Sequence, residues 1–153
     1  MYDNNVPAVT LGIRGVASVN GLVRNATADL HSGIYGGILT NPARALTSVL
    51  AKMWDETGKV AIPHFYDGVK TFSKEELSAF DWEKDVKKSA ASVDAKAFQG
   101  EGKYSLLESN CIRPTLEING MESGYTGEGG KTIIPSRAMV KLSCRLVEGQ
   151  DPV

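Results

Sequence analysis

The sequence has few of the residues that hold metals or disulfide frameworks. Its 153 residues include two cysteines, Cys111 and Cys144, and two histidines, His31 and His64. Two cysteines are too few for a disulfide scaffold or a cysteine zinc site, so we expect reduced thiols. No cluster of His, Asp and Glu has metal-ligand spacing, so we expect no complete metal site and no resident cofactor in this chain.

The sequence also lacks a charge excess and a long apolar run. Seventeen Lys and Arg face eighteen Asp and Glu, a formal net charge of −1. Such scattered, balanced charge favours neither a nucleic acid nor an anionic membrane as partner. No stretch approaches the roughly 20 apolar residues of a membrane span, and the N-terminus has no signal-peptide pattern. We therefore expect a cytoplasmic protein.

Strand patterns occur near both ends of the chain. After a lead-in over residues 1–14, the run Val16–Arg24 places small and apolar residues on one side. The runs TLEING (115–120) and AMVKLSCRL (138–146) alternate apolar and polar residues more strictly. Glycines between these two runs predict a long hairpin loop.

Helix signals lie between the strands. Asn41 followed by Pro42 predicts a helix start, and Gly58 predicts the end of the segment. Between Pro42 and Gly58, the apolar residues recur at the helical spacing of a buried stripe: Leu46, Val49, Leu50 and Met53. The capping box of Ser73 and Glu76 predicts a second helix from Lys74 into the KDVKK region, and residues 104–108 allow a further helical turn.

These elements predict one domain over residues 1–153, of the α+β class. We divide it into a strand, loop and helix at 15–57, an excursion with a second helix at 58–110, and a two-strand hairpin at 111–153. The order of elements is that of a ferredoxin-like split βαβ two-layer sandwich. A second helix and a fourth strand would complete this sandwich, so we expect the chain to be truncated before them.

Three features outside the core are candidates for chemistry. His31 lies in a glycine-rich loop beside Asp29 and Ser32, where it is either a functional donor or a structural loop histidine; residues so close in sequence do not form a catalytic triad. GEGGKT has the wrong spacing for a phosphate loop and precedes a strand, so it either forms a flexible hairpin or presents Thr132 to a ligand. Arg145 lies on a polar strand face, where it is either solvated or paired with a neighbouring acid, or binds a carboxylate that suits its guanidinium.

The ordered motifs resemble one family. GIRG, DLHSGIYGG, NPARAL, HFYD, RPTLEINGMESGYTGEGGKTIIP and KLSCRLVEGQDP follow the order seen in the lid, or dimerisation, domain of the zinc-dependent aminoacylase and carnosine-dipeptidase family of exopeptidases. The similarity spans nearly the whole chain. DLHSG with YGG, and GYTGEG with KTIIP, resemble the dipeptidase branch most.

The resemblance implies a metal-assisted amide hydrolase whose catalytic domain holds two zinc ions. This chain would be the lid, which forms a homodimer and clamps a dipeptide substrate, and would be inactive alone. By the same resemblance, His31 would donate a hydrogen bond to the oxyanion in the partner subunit's site. Thr132 would contact substrate, and Arg145 would bind its terminal carboxylate.

Two alternatives remain open at this stage. The chain is compatible with a stand-alone split βαβ domain that binds a partner or ligand without catalysis. It is also compatible with the lid of an aminoacylase or desuccinylase of the same family.

Overall fold

The computed structural model describes Val9, residues 12–78 and residues 93–152. Within these ranges the chain forms five strands and four helices. In chain order they are β1 (Gly15–Arg24), β2 (Leu30–His31), α1 (Ser32–Tyr35), α2 (Pro42–Leu50), α3 (Lys74–Ser78), α4 (Leu106–Cys111), β3 (Thr115–Ser123), β4 (Ile133–Ile134) and β5 (Arg137–Leu146).

The three long strands form one antiparallel sheet in the order β1-β5-β3. Leu142 in the central strand pairs with Val19 on one side and Ile118 on the other. The alternation of β5 decides which face is buried, because Ala138, Val140 and Leu142 are 0%, 2% and 8% exposed. The predicted α+β class and all three predicted strands are confirmed.

Helix α2 covers this buried face with one ridge of side chains. Asn41 caps it as predicted, with Oδ1 accepting from the amide of Ala43 at 2.9 Å. Pro42, Leu46 and Leu50, spaced four residues apart, are buried in the helix. Val49 lies beside that ridge and is 52% exposed, so its predicted place in the buried stripe is wrong.

The end predicted for this helix at Gly58 is also wrong. The helix ends at Leu50, and Trp54 forms an isolated antiparallel bridge with Val60. Asp55 closes the intervening turn, its Oδ1 accepting from the amides of Thr57 at 2.8 Å and Lys59 at 3.0 Å. Gly58 has a positive φ of 80°. The glycine therefore marks a turn that follows the helix at some distance.

The excursion is fastened to the core by a partly buried ion pair. Arg113 donates from Nε and an Nη to the two carboxylate oxygens of Glu101 at 2.8 and 2.7 Å. Its guanidinium also lies 4.8 Å from the ring centre of Tyr66 and 4.4 Å from that of Tyr104. The Arg113 guanidinium, just before β3, thus contacts the excursion near both its beginning, at Tyr66, and its end, at Glu101 and Tyr104.

The two helices described in the excursion begin at capping boxes. The predicted box is present, with Ser73 and Glu76 exchanging backbone-to-side-chain bonds of 2.9 and 3.1 Å. Helix α3 is described as far as Ser78, and the KDVKK region lies outside the described residues. The turn allowed at 104–108 is helix α4, which begins after Ser105 and ends at Cys111.

Candidate functional site

A two-stranded ribbon outside the main sheet positions the first candidate residues. β4 lies within the segment predicted as hairpin loop, and it pairs antiparallel with β2, so that His31 faces Ile133 across the ribbon. The amide of Ser32 extends the ribbon by donating to the carbonyl of Thr132 at 2.9 Å. Residues 101 positions apart in the sequence are thereby neighbours.

The ribbon is anchored where β5 begins. Ser136 donates its amide to Oδ1 of Asp29 at 2.8 Å, and its carbonyl accepts from the amide of Asn25 at 3.0 Å. The Asp29 carboxylate is therefore used to hold the loop. His31 receives its hydrogen bond from the Gly33 amide instead, so the arrangement agrees with the rejection of a catalytic triad.

The structure brings two of the predicted site residues together. His31 and Thr132 are both exposed, and Nε2 of the imidazole lies 3.4 Å from Oγ1 of the hydroxyl. A strong hydrogen bond between nitrogen and oxygen is shorter, about 2.7–3.2 Å. The imidazole nitrogen and the hydroxyl are therefore both available to a third polar group, such as an oxygen of a ligand.

The loop that leads to Thr132 is folded around one aromatic side chain. Tyr125 donates its hydroxyl to the carbonyl of Glu128 at 2.8 Å, and the ammonium of Lys131 lies 4.3 Å from the ring centre. A Cβ on Gly127 would lie 2.6 Å from the Tyr125 hydroxyl, so any other residue there would displace the tyrosine side chain. The loop therefore has a defined shape, unlike a flexible hairpin, and it ends in β4 where a phosphate loop would open a helix.

Arg145 lies at the other end of β5. It is exposed and pairs with Val16 in β1 and Thr115 in β3. The ribbon is attached next to Arg137, eight residues earlier, which corresponds to about 27 Å along an extended strand. Arg145 therefore lies at the opposite end of β5 from the His31–Thr132 pair.

A second arginine lies near Arg145. Burial lowers the pKa of Arg14, and the positive charge of Arg145 lowers it further. The charge of Glu117 partly opposes this shift. One terminal nitrogen of Arg14, Nη1, is buried with no hydrogen-bond partner among the described residues, and Nη2 donates to Asn110 at 3.1 Å. Two guanidinium groups at one end of the sheet make that end favourable for an anion.

The aromatic residues and the histidine described in the excursion and just before it serve packing and loop structure. Trp54, Phe65 and Tyr66 pack against the buried core. His64 has a positive φ of 65° and its Nδ1 lies 2.9 Å from an oxygen of Asp67 at the surface. Trp82 lies outside the described residues.

Sequence reasoning missed the structural roles of Asp29 and Gly33. The carboxylate of the first holds the ribbon, and the amide of the second binds the imidazole. The only sequence signal for the ribbon was the pair of β-branched residues before Pro135, in GGKTIIP.

The described residues contain neither a helix that could span a membrane nor a cluster of metal ligands. No helix there has the length and apolar character needed to cross a bilayer. No group of three or more His, Cys, Asp or Glu in the same residues is arranged to hold a metal ion.

Comparison with known proteins identifies relatives of nearly the whole chain. Residues 11–153 match the family model described as peptidase dimerisation domain. The Cys-Gly metallodipeptidase of Candida albicans is 32% identical over 142 residues, which are 92% of this chain and 29% of that enzyme.

Solved structures have the same fold. An M20 family metallo-carboxypeptidase from Sulfolobus solfataricus is 35% identical with a TM-score of 0.80, covering 93% of this chain and 32% of that one. Human carnosine dipeptidase 1 is 32% identical with a TM-score of 0.81, covering 95% of this chain and 31% of that one. The chain thus spans less than one third of the length of these relatives.

The antiparallel α+β fold and these matches place the chain among the domains of metallopeptidases. More narrowly, it belongs to the peptidase dimerisation domain family.

Proposed function

We propose that this chain is the dimerisation and substrate-clamping domain of a longer zinc metallopeptidase that hydrolyses dipeptides or related amides as a homodimer. The observation that carries the proposal is the exposed pair of His31 Nε2 and Thr132 Oγ1, 3.4 Å apart and available to a ligand oxygen. The activities for which relatives are named, Cys-Gly and β-Ala-His dipeptide hydrolysis, support the substrate class.

The described residues of this chain do not supply the metal site of the proposed enzyme. They contain no group that fits a zinc ion, so both ions of the proposed enzyme are held by its remaining part. The chain alone is then inactive. We also propose that the enzyme is cytoplasmic. The free thiols of Cys111 and Cys144 fit that reducing compartment.

In the proposed enzyme His31 stabilises negative charge. Its imidazole would donate a hydrogen bond to the oxygen that becomes an oxyanion when the amide carbonyl is attacked, and Thr132 would hold the substrate beside it. A donor fixed before the reaction costs no reorganisation as the charge develops.

Arg145 would bind the terminal carboxylate of a substrate. It would do so in a different active site from the one that His31 and Thr132 of the same chain serve. A dipeptide is about 7 Å long when extended. The ribbon and Arg145 are attached about 27 Å apart along β5. We therefore propose that each active site receives Arg145 from its own subunit and the His31–Thr132 pair from the partner subunit.

Mixed dimers test this division between subunits. In the longer protein, dimers of His31→Ala alone or Arg145→Met alone contain no complete site. A dimer with one subunit of each kind contains one complete site if the His31 and Arg145 of one subunit serve different sites. Random pairing makes half of the dimers mixed, so about one quarter of wild-type activity should return on subunit exchange.

Measuring activity after co-expression of the two variants decides the matter. If the His31 and Arg145 of one subunit both served one site, either that subunit's own or the partner's, every site of the mixed dimer would lack one residue. Activity would then remain at the level of the single variants, and the proposed division would be wrong. Exchange between wild type and a tagged wild type controls for subunit mixing.

Apolar side chains next to His31 provide a surface for the partner subunit. Ile34 and Ile38 are 63% and 75% exposed, and Tyr35 and Leu39 are 39% and 37% exposed. Four such residues within six positions are an unusual cost in water unless another surface covers them. Their position beside the proposed catalytic donor fits an interface that delivers it.

Replacing Ile38 with Asp should weaken the dimer of the longer protein. A charge placed in an apolar contact should raise the dissociation constant at least about tenfold, measured by sedimentation against protein concentration. Val93→Asp is the matched control, because Val93 is also exposed, at 76%. An unchanged dimer in the Ile38→Asp protein would show that this surface lies outside the interface.

A further inference from the structure

We propose that Gly33 is a positioning residue that fixes both the tautomer and the direction of the His31 imidazole. This inference rests on the proposed function, in which Nε2 of His31 donates to an oxyanion. The geometry that carries it lies within three consecutive residues at the end of β2 and the start of α1.

The first observation is the hydrogen bond to the other ring nitrogen. The backbone N–H of Gly33 donates to Nδ1 of His31 at 3.0 Å. A backbone amide is always a donor, so Nδ1 must accept and carries no proton. In the neutral ring the proton then lies on Nε2, the nitrogen that faces Thr132.

This bond gives the site a donor without a positive charge. The Nε2–H of a neutral imidazole donates to oxygen, and the ring does not need to be protonated to do so. In other enzyme sites, a carboxylate or carbonyl that accepts from Nδ1–H leaves Nε2 as the acceptor, which suits a general base. The amide of Gly33 has the opposite effect, which suits an oxyanion donor.

The second observation explains why this residue is glycine. A Cβ at position 33 would lie 2.8 Å from Cε1 and 3.0 Å from Nδ1 of His31. Contacts this short force the imidazole to move, and its movement would carry Nε2 away from Thr132. The φ of Gly33 is not in the positive range, so the backbone angle alone does not require glycine here.

Replacing Gly33 with Ala in the longer protein should therefore lower kcat by about 10–100-fold, since small displacements of a catalytic group have effects of this size. KM should change little, because the substrate still binds through other groups. Gly120→Ala is the matched control, since a Cβ there would have no atom of the described residues within 4 Å. Dimer formation and metal content should be unchanged in both variants.

A spectroscopic measurement tests the tautomer directly. In protein labelled with ring-15N histidine, a long-range 1H–15N spectrum distinguishes a protonated from an unprotonated ring nitrogen. The His31 signals are assigned by their loss in His31→Ala. We expect an unprotonated Nδ1 and a protonated Nε2 in the wild type, and a change of this pattern in Gly33→Ala.

The outcomes separate this inference from the proposed function. A wild-type ring with the proton on Nδ1 would overturn the inference whether or not the Gly33→Ala protein folds, while the effect of removing His31 would still test the function. If the tautomer is as expected and changes in Gly33→Ala, but kcat stays the same in that variant and in His31→Ala, then the imidazole is held as inferred but does not donate to the oxyanion.

Discussion

Removing the imidazole of His31 should lower turnover by the proposed enzyme about 100–1000-fold, the usual effect of deleting one oxyanion donor. The variant is His31→Ala in the longer protein, with kcat measured on a dipeptide. The loss should fall on kcat, because the hydrogen bond strengthens as negative charge develops on the carbonyl oxygen. Metal content should stay at the wild-type level, since His31 belongs to no cluster of metal ligands among the described residues.

The second histidine of the chain is the control for this variant. His64 is exposed, pairs with Asp67 and lies in the left-handed region of backbone conformation, with φ 65°. Asparagine tolerates that conformation, so His64→Asn removes the imidazole without adding strain. Its turnover should equal that of the wild type.

Two results would contradict the assigned role of His31. Unchanged turnover in His31→Ala would show that the imidazole does not act on the transition state. A rise in KM with unchanged kcat would show that it binds ground state and transition state equally, and so holds substrate without accelerating the reaction.

Local signals in the sequence predicted the main sheet and the helix starts. The alternation in AMVKLSCRL specifies which face of β5 is buried, because a strand shifted by one residue would expose its apolar side chains. Asn41–Pro42 and the Ser73–Glu76 pair predict helix starts for a similarly local reason, since the capping groups lie within a few residues of the amides they bind. Such features depend little on the rest of the fold.

The ribbon that builds the site depends on contacts between distant parts of the chain. β2 and β4 have two residues each, which is too short for any periodicity to be visible. Their pairing is accompanied by the Asp29–Ser136 bond, which joins residues 107 positions apart. Motif resemblance named His31 and Thr132, but only the fold shows that they are adjacent.

The resemblance also named Arg145 without indicating its distance from the other two residues. Along β5, each residue adds about 3.4 Å, so position in the strand decides which end of the domain a side chain serves. Arg145 lies next to the last residue of β5, and the ribbon joins before the first. A role for all three residues in hydrolysis therefore requires two copies of the domain for each active site.

Replacing Arg145 with Met should lower kcat/KM for a dipeptide with a free carboxylate by about 10–150-fold. This range follows from the roughly 1.5–3 kcal/mol of a hydrogen bond between charged groups. Methionine keeps most of the apolar stem while removing the charge, so strand packing is retained. Arg137→Met is the matched control, because Arg137 is exposed on the same strand and pairs at 3.7 Å with Glu122.

The substrate itself provides a second control for the carboxylate. A dipeptide with an amide in place of its terminal carboxylate cannot form the ion pair, so wild type and Arg145→Met should hydrolyse it at similar rates. If the variant lost the same factor on both substrates, Arg145 would act on the structure of the domain and not on the carboxylate. The remaining positive charge of Arg14, which lies close enough for Arg145 to lower its pKa, should then be tested as the anion-binding group.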